Sequence, residues 1–123
     1  MTTFEIGKKY VELCRAQQNH VALETMFSPD AVSVEALAMP GGSAEARGLK
    51  AIGEKSKQWV AEHEVHSAKL EGPWPNGNRF AVRFTYDVTN KPSGRRMQMD
   101  EVGLFTVENG KIVREEFFYS TEG

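Results

Sequence analysis

Glu101 is the residue whose surroundings most invite chemistry. It alternates with Met97, Met99, Gly103, Phe105 and Val107 along one face of an extended run, and Asp100 faces the other side. A carboxylate in that company is either buried with its pKa raised or set at the floor of a pocket. Glu115 lies on the run that follows. In one register Val113, Glu115, Phe117 and Tyr119 point inward; in the other Ile112, Arg114, Glu116 and Phe118 do, and Glu115 is a surface charge. Stacking of Phe117 and Tyr119 beside Phe105 favours the first. Tyr10 sits on an apolar helical stripe, where a core tyrosine with a bonded hydroxyl and a site residue look alike. Of the histidines, His20 falls between helices and His63 ends a helix, where a cation suits the dipole. His66 alternates with Ala68 and Leu70 and is a candidate proton shuttle. His63 and His66 as a metal pair would need a carboxylate, across a helix–strand junction, so no metal is expected. No phosphate-cradling glycine loop or nucleophile elbow is present.

These residues need elements to hold them. Phe4, Gly7, Val11 and Cys14 recur at helical spacing and predict a helix over 3–19, with Thr3 as N-cap. A second helix is expected over 20–27, ended by Ser28-Pro29-Asp30. Residues 31–38 read as extended, with Val32 and Val34 on one face and Ser33 and Glu35 on the other. Met39-Pro40-Gly41-Gly42-Ser43 reads as a loop. A third helix is expected over 48–62, with Leu49, Ile52 and Gly53, then Trp59 and Val60, as a buried stripe and Ser56 on its path. The period then changes to two. Four strands are expected, over 65–73, 79–89, 95–107 and 111–119, joined by turns at Asn76-Gly77, Pro92-Ser93-Gly94 and Asn109-Gly110. Three helices followed by a meander give an α+β domain, a curved, mostly antiparallel sheet with helices on one face.

The 123 residues fit one domain, 1–123. Hydrophobic residues make up 40% and charged residues 26%, which excludes a disordered chain. A net charge of −2 gives no reason to expect nucleic acid or an anionic membrane as partner. No apolar run reaches the ~18–20 residues of a membrane span. The single Cys14 excludes an intrachain disulfide framework. The first residues lack a signal-peptide pattern, so a cytoplasmic protein is expected.

Four segments in order carry a family resemblance: Lys9-Tyr10-Val11, Phe27-Ser28-Pro29-Asp30-Ala31, Arg47-Gly48-Leu49-Lys50-Ala51-Ile52, and Phe105-Thr106-Val107-Glu108-Asn109-Gly110-Lys111-Ile112-Val113. With the element order, they resemble the cone-shaped superfamily of nuclear transport factor 2, ketosteroid isomerase and the SnoaL-like polyketide cyclases. The resemblance implies a pocket between helices and sheet. In ketosteroid isomerase a carboxylate base works beside an oxyanion hole of a Tyr and a protonated Asp. The resemblance puts Tyr10 on the oxyanion Tyr and Glu35 on the base, one methylene longer than Asp. It puts Gly103, which has no donor, on the second oxyanion position. It also points the Glu115 face inward. Two readings follow. One is a cofactor-independent isomerase, cyclase or hydratase acting on a small hydrophobic carbonyl compound. Its acid–base set would be Tyr10, Glu35, Glu101 and Glu115, with Trp59, Tyr86, Met99, Phe105, Phe117 and Tyr119 around the ligand. The other is a non-catalytic binding module. The outer sheet face, carrying Val102 and Leu104, is expected to form a homodimer.

Overall fold

The computed structural model describes residues 1–38 and 42–120. The expected loop at Met39-Pro40-Gly41-Gly42-Ser43 lies partly outside them. Helix α1 (Thr3–Arg15) is N-capped by Thr2, not by Thr3. The Thr2 side chain accepts from the Glu5 N–H and the Glu5 carboxylate accepts from the Thr2 N–H, each at 3.1 Å. It stops earlier than its polar tail suggested. Gln17 turns left-handed at φ 59°, and the N–H groups of Gln17 and Gln18 donate back to the carbonyls of Cys14 and Leu13. Ile6, Gly7, Tyr10, Val11 and Cys14 form its buried face, and Phe4 is exposed. Helix α2 (Asn19–Met26) passes directly into β1 (Phe27–Val34).

Strand β1 thus begins four residues before the expected one and contains Pro29. Its pairing with β6 is interrupted between Phe27 and Val32, so the proline, which has no N–H, interrupts no regular ladder. The short strand β2 (Glu45–Arg47) pairs antiparallel with β1; three residues carry no readable period, and the sequence did not announce it. Gly48, at φ 85°, makes the turn from β2 into α3 (Gly48–Glu62), which fills the expected range. The long strands β3 (His63–Asn76), β4 (Arg79–Asn90) and β5 (Arg95–Glu108) and the shorter β6 (Lys111–Phe118) complete one sheet, in the order β2-β1-β6-β5-β4-β3. Only the β1–β6 pair is parallel. Asn109 and Gly110, both at positive φ, form the tight β5–β6 turn.

The helices cover one face of this open sheet. The dry part of the core lies where Tyr10 meets Phe27, Phe80 and Phe105, with ring centroids 6.3, 6.1 and 4.6 Å away. Phe80 and Phe105, paired across β4 and β5, stack at 4.8 Å and are fully buried. On the outer face the cross-strand pair Val102 and Phe118 stays 40% and 54% exposed. Arg83 grips Asp100 there with two hydrogen bonds, at 3.1 and 2.8 Å. No helix among the described residues is long and apolar enough to cross a membrane.

Two glycines in helices should respond oppositely to alanine. A Cβ at Gly7 would stand 2.8 Å from Pro73 and 3.0 Å from Phe80, so α1 is held against β3 and β4 by the missing side chain. Gly7→Ala should cost ~1–3 kcal/mol through overpacking. A Cβ at Gly53 meets only Leu23, at an ordinary 3.5 Å, so Gly53→Ala should gain ~0.5–1 kcal/mol from helix propensity. Urea midpoints of the two variants check both signs.

Candidate functional site

Lys55 links the polar groups beneath the helices. It lies on the α3 stripe between Ile52 and Trp59, three and four residues from them, and is half-buried. Ser56 and Val60, both expected on that stripe, are exposed, because the inward stripe runs through Lys55 instead. The Lys55 ammonium donates to Ser33 Oγ at 2.5 Å and to Glu35 Oε1 at 3.0 Å, and stands 5.4 Å from the centre of the Phe117 ring. Ser33 and Glu35 share the inward face of β1 and its continuation, as the alternation predicted. The Tyr119 hydroxyl donates to the other oxygen of Glu35, Oε2, at 3.3 Å. The carboxylate is therefore held from both sides.

Two further carboxyls approach from the sheet. Glu115 of β6 is 6% exposed, pairs across strands with Ser33 and Phe105, and is hydrogen-bonded with the Ser33 side chain. Glu101 of β5 is paired with Phe84 and half-buried. Burial pushes both up to about 7. For Glu101 the Glu35 charge adds to burial, while Lys55 opposes it. For Glu115, Ser33 and Lys55 both oppose the rise. One ammonium thus faces three carboxyl groups, and two of them keep their protons into the neutral range.

Tyr10 closes the apolar end. Its hydroxyl is hydrogen-bonded with the Cys14 thiol and lies near Glu115 and Tyr86. Burial raises it well above its ordinary value and pushes the Cys14 thiol up to about 12. Tyr10 therefore lies nearer Glu115, while Glu35 is engaged by Lys55 and Tyr119. Burial and the Glu101 charge raise Tyr86. Trp59 packs on Tyr86 at 5.5 Å, and Phe117 meets Phe84 and Phe105 edge-on. Met99 is half-buried opposite Tyr86. A cleft of about 230 Å³ between β2 and α3, bordered by Ala44, Glu45, Ala46, Ala51, Glu54 and Gln58, reaches Lys55.

Two expectations need correction. The inward run of β6 is not a simple alternation. Val107 pairs with Ile112 but Thr106 with Arg114, so Val113 is an extra residue and the phase switches there. Ile112 is fully buried, and Glu115 and Phe117 still face the helices. His66 does not point inward. The β3–β4 register shifts between Val65 and Ser67, and His66 is exposed, bonded through Nε2 to Thr89 Oγ1 at 2.7 Å. His63 is taken by its own helix, with Nδ1 2.8 Å from the Trp59 carbonyl and its ring stacked on Trp59. Among the described residues no group of three or more His, Cys, Asp or Glu is placed to hold a metal ion. The Gly103 position is crowded. A Cβ there would stand 2.8 Å from Phe105 and 3.0 Å from Phe84.

A model of the SnoaL-like domain matches residues 1–119. The chain belongs to the SnoaL-like family. This SnoaL-like chain is 46% identical to a Mesorhizobium loti protein named for the SnoaL-like polyketide cyclases, over 97% of this chain and 100% of that one, with a TM-score of 0.91. A Catenulispora acidiphila protein with a ketosteroid isomerase-like fold, in complex with trimethylamine, is 21% identical over 98% and 88% of the two chains, at TM-score 0.74. TerC, co-crystallised with polyporic acid, is 21% identical over 97% and 92%, at TM-score 0.73. The last two likenesses establish the cone fold. The chain has no match among curated proteins.

The carboxyls give the SnoaL-like fold a pH signature. With Glu101 and Glu115 raised from 4.5 to about 7, the folded state binds more protons than the unfolded chain between those values. Their contribution to stability is full below about 4.5 and is lost as pH rises through about 7. Urea midpoints should fall across that window, and Glu115→Gln should flatten the slope. A parent protein whose midpoint holds level from pH 5 to 8 would contradict the assignment.

Proposed function

We propose that the chain is a small acid–base enzyme of the isomerase, cyclase or hydratase type, acting on a small hydrophobic carbonyl compound held between helices and sheet. The observation that carries this is the contrast among the three carboxyls. Glu35 is paired with a cation at 3.0 Å, while Glu101 and Glu115 are pushed up to about 7. A carboxylate paired with a cation and two carboxyls held protonated in one site divide the roles of base and acid. Glu35 takes the α-proton as base. Glu101 and Glu115, protonated, donate to oxygen or return the proton to carbon. Tyr10, bonded with Cys14, lies near Glu115 at the apolar end, and Ser33 is the group bonded to Glu115. Trp59, Tyr86, Met99, Phe117 and Tyr119 would give a ligand its hydrophobic wall, with Phe105 packed behind them in the core. Two proteins of this fold take up small molecules, trimethylamine and polyporic acid, which supports a ligand cavity here.

A second reading, a ligand-holding module without chemistry, has one observation in its favour. The position of the second oxyanion donor is Gly103, closed in by Phe84 and Phe105. Proton exchange distinguishes the two. In deuterated water, a panel of cyclic 1,3-diketones and β,γ-unsaturated ketones should show enzyme-dependent α-proton exchange by NMR. Glu35→Gln should lose ~10²–10⁴-fold in rate with ligand affinity little changed. Binding without exchange on any member would favour the holding module.

We place the protein in the cytoplasm, as one domain, with no nucleic-acid or membrane partner, and as a homodimer through the outer sheet face. Val102, Leu104 and Phe118 supply an apolar centre there, flanked by the Arg83–Asp100 and Arg114–Glu116 pairs. Such a patch can be self-complementary about a two-fold axis. Phe118→Glu should convert the dimer to monomer by light scattering at micromolar concentration. A monomeric parent protein would remove this reading.

A further inference from the structure

We infer that Lys55 is the electrophilic donor of this site, its ammonium passing from Glu35 to the oxygen of an enolising carbonyl substrate as Glu35 takes the α-proton. The inference rests on the acid–base reading above and adds to it a residue and a substrate class. The substrate is a compound whose negative charge gathers on one oxygen beside Lys55.

Three observations meet here. First, two N–H groups of Lys55 are engaged, by Ser33 and Glu35. Among the described residues the third finds no oxygen, and the ammonium stands over Phe117. Second, Lys55 belongs both to the polar cluster and to the border of the cleft between β2 and α3. The cleft brings Lys55 within reach of a molecule from outside, while its ammonium lies against Ser33 and Glu35. Third, β5 offers no side-chain donor at Gly103, and aromatic rings fill the space beside it. A donor must come from elsewhere, and α3 supplies one.

The step balances. The substrate C–H bond breaks and its proton goes to the Glu35 carboxylate. The C–H electron pair becomes the new C=C bond, and the carbonyl π pair moves onto oxygen. Lys55 keeps its three protons. Before the step the ion pair is Glu35 with Lys55; after it Glu35 is neutral and the pair is enolate with Lys55. The number of charges within the cluster does not change, so no isolated ion is created where isolated ions are most costly. Glu101, Glu115 and Tyr119 also face this group and remain as proton carriers around it.

A phenolate imitates an enolate oxygen, and 4-nitrophenol reports its own ionisation by colour. Glu35→Gln imitates the protonated base and frees Lys55. The full-length E35Q protein should bind 4-nitrophenolate at least tenfold more tightly than the parent. Adding Lys55→Met should abolish that gain, and adding Lys55→Arg should keep most of it. Lys55→Gln gives the same comparison if the methionine variant does not fold. With any ketone that exchanges, Lys55→Met alone should lower kcat ~10²–10³-fold with KM little moved. Phenolate binding in the E35Q/K55M double variant equal to that in E35Q, or none in E35Q, overturns the inference. So does a Lys55→Met rate equal to the parent's where Glu35→Gln is inactive, an outcome that leaves the acid–base reading standing. Lys55-dependent phenolate binding with no exchange by the parent on any ketone overturns both, and leaves Lys55 a holder of anions.

Discussion

The Lys55–Glu35 ion pair governs the polar half of this molecule. Its partners come from distant parts of the chain: Lys55 from α3, Ser33 and Glu35 from β1 and its continuation, Glu115 from β6, Glu101 from β5, Tyr119 from just beyond β6. Such a pair is weak evidence for stability, because desolvating two ions offsets much of their attraction, and packed apolar side chains often do as well. The surrounding carboxyls add a further cost only when they ionise, since neither Glu101 nor Glu115 has a cation of its own. The cluster nevertheless draws on α3, β1, β5 and β6, and it is these groups that the proposed acid–base chemistry would use.

The covered face of the sheet divides in two. At one end Tyr10, Phe27, Phe80 and Phe105 form a dry aromatic core that fixes α1 on β4 and β5. At the other end Lys55 and its carboxyls meet Trp59, Tyr86 and Phe117. Tyr10 stands at the border, with its ring in the first region and its hydroxyl, bonded to Cys14, turned toward Glu115. The aromatic half lets the polar half exist. It supplies the apolar burial that the polar cluster lacks, and its low dielectric keeps Glu101 and Glu115 protonated into the neutral range.

Most of the fold could be read from the sequence, because period-two patterns and explicit turns carry β3 to β6 and a clear apolar stripe carries α3. The failures share a cause. Wherever the backbone inserts an extra residue, alternation loses phase, and neither His66 nor Val113 could be placed by counting. The early start of β1 was hidden by Pro29, which argues against a strand until an irregular pairing makes room for it. Glu101 was legible because a carboxylate among Met97, Met99 and Phe105 breaks its own pattern. Lys55 was not. Lysine in a helix reads as solvated, and only the 52–55–59 spacing, with Ile52 and Trp59 on either side, could have marked it as inward.

Gly103 then bears on how this fold redistributes chemistry. Its missing side chain gives Phe105 and Phe84 the space their rings occupy, and a donor put back at that point would displace them. The strand has been given over to packing. Any stabilisation of developing negative charge must come from groups that the aromatic layer leaves uncovered. Those are the ammonium on α3 and the protonated carboxyls on β5 and β6, all facing the same carboxylate at the end of β1. An ammonium brings a full charge where a carboxylic acid brings a dipole, and in a region of low dielectric that difference is large. A donor on α3, as proposed for Lys55, fits a sheet in which aromatic rings occupy the space beside Gly103.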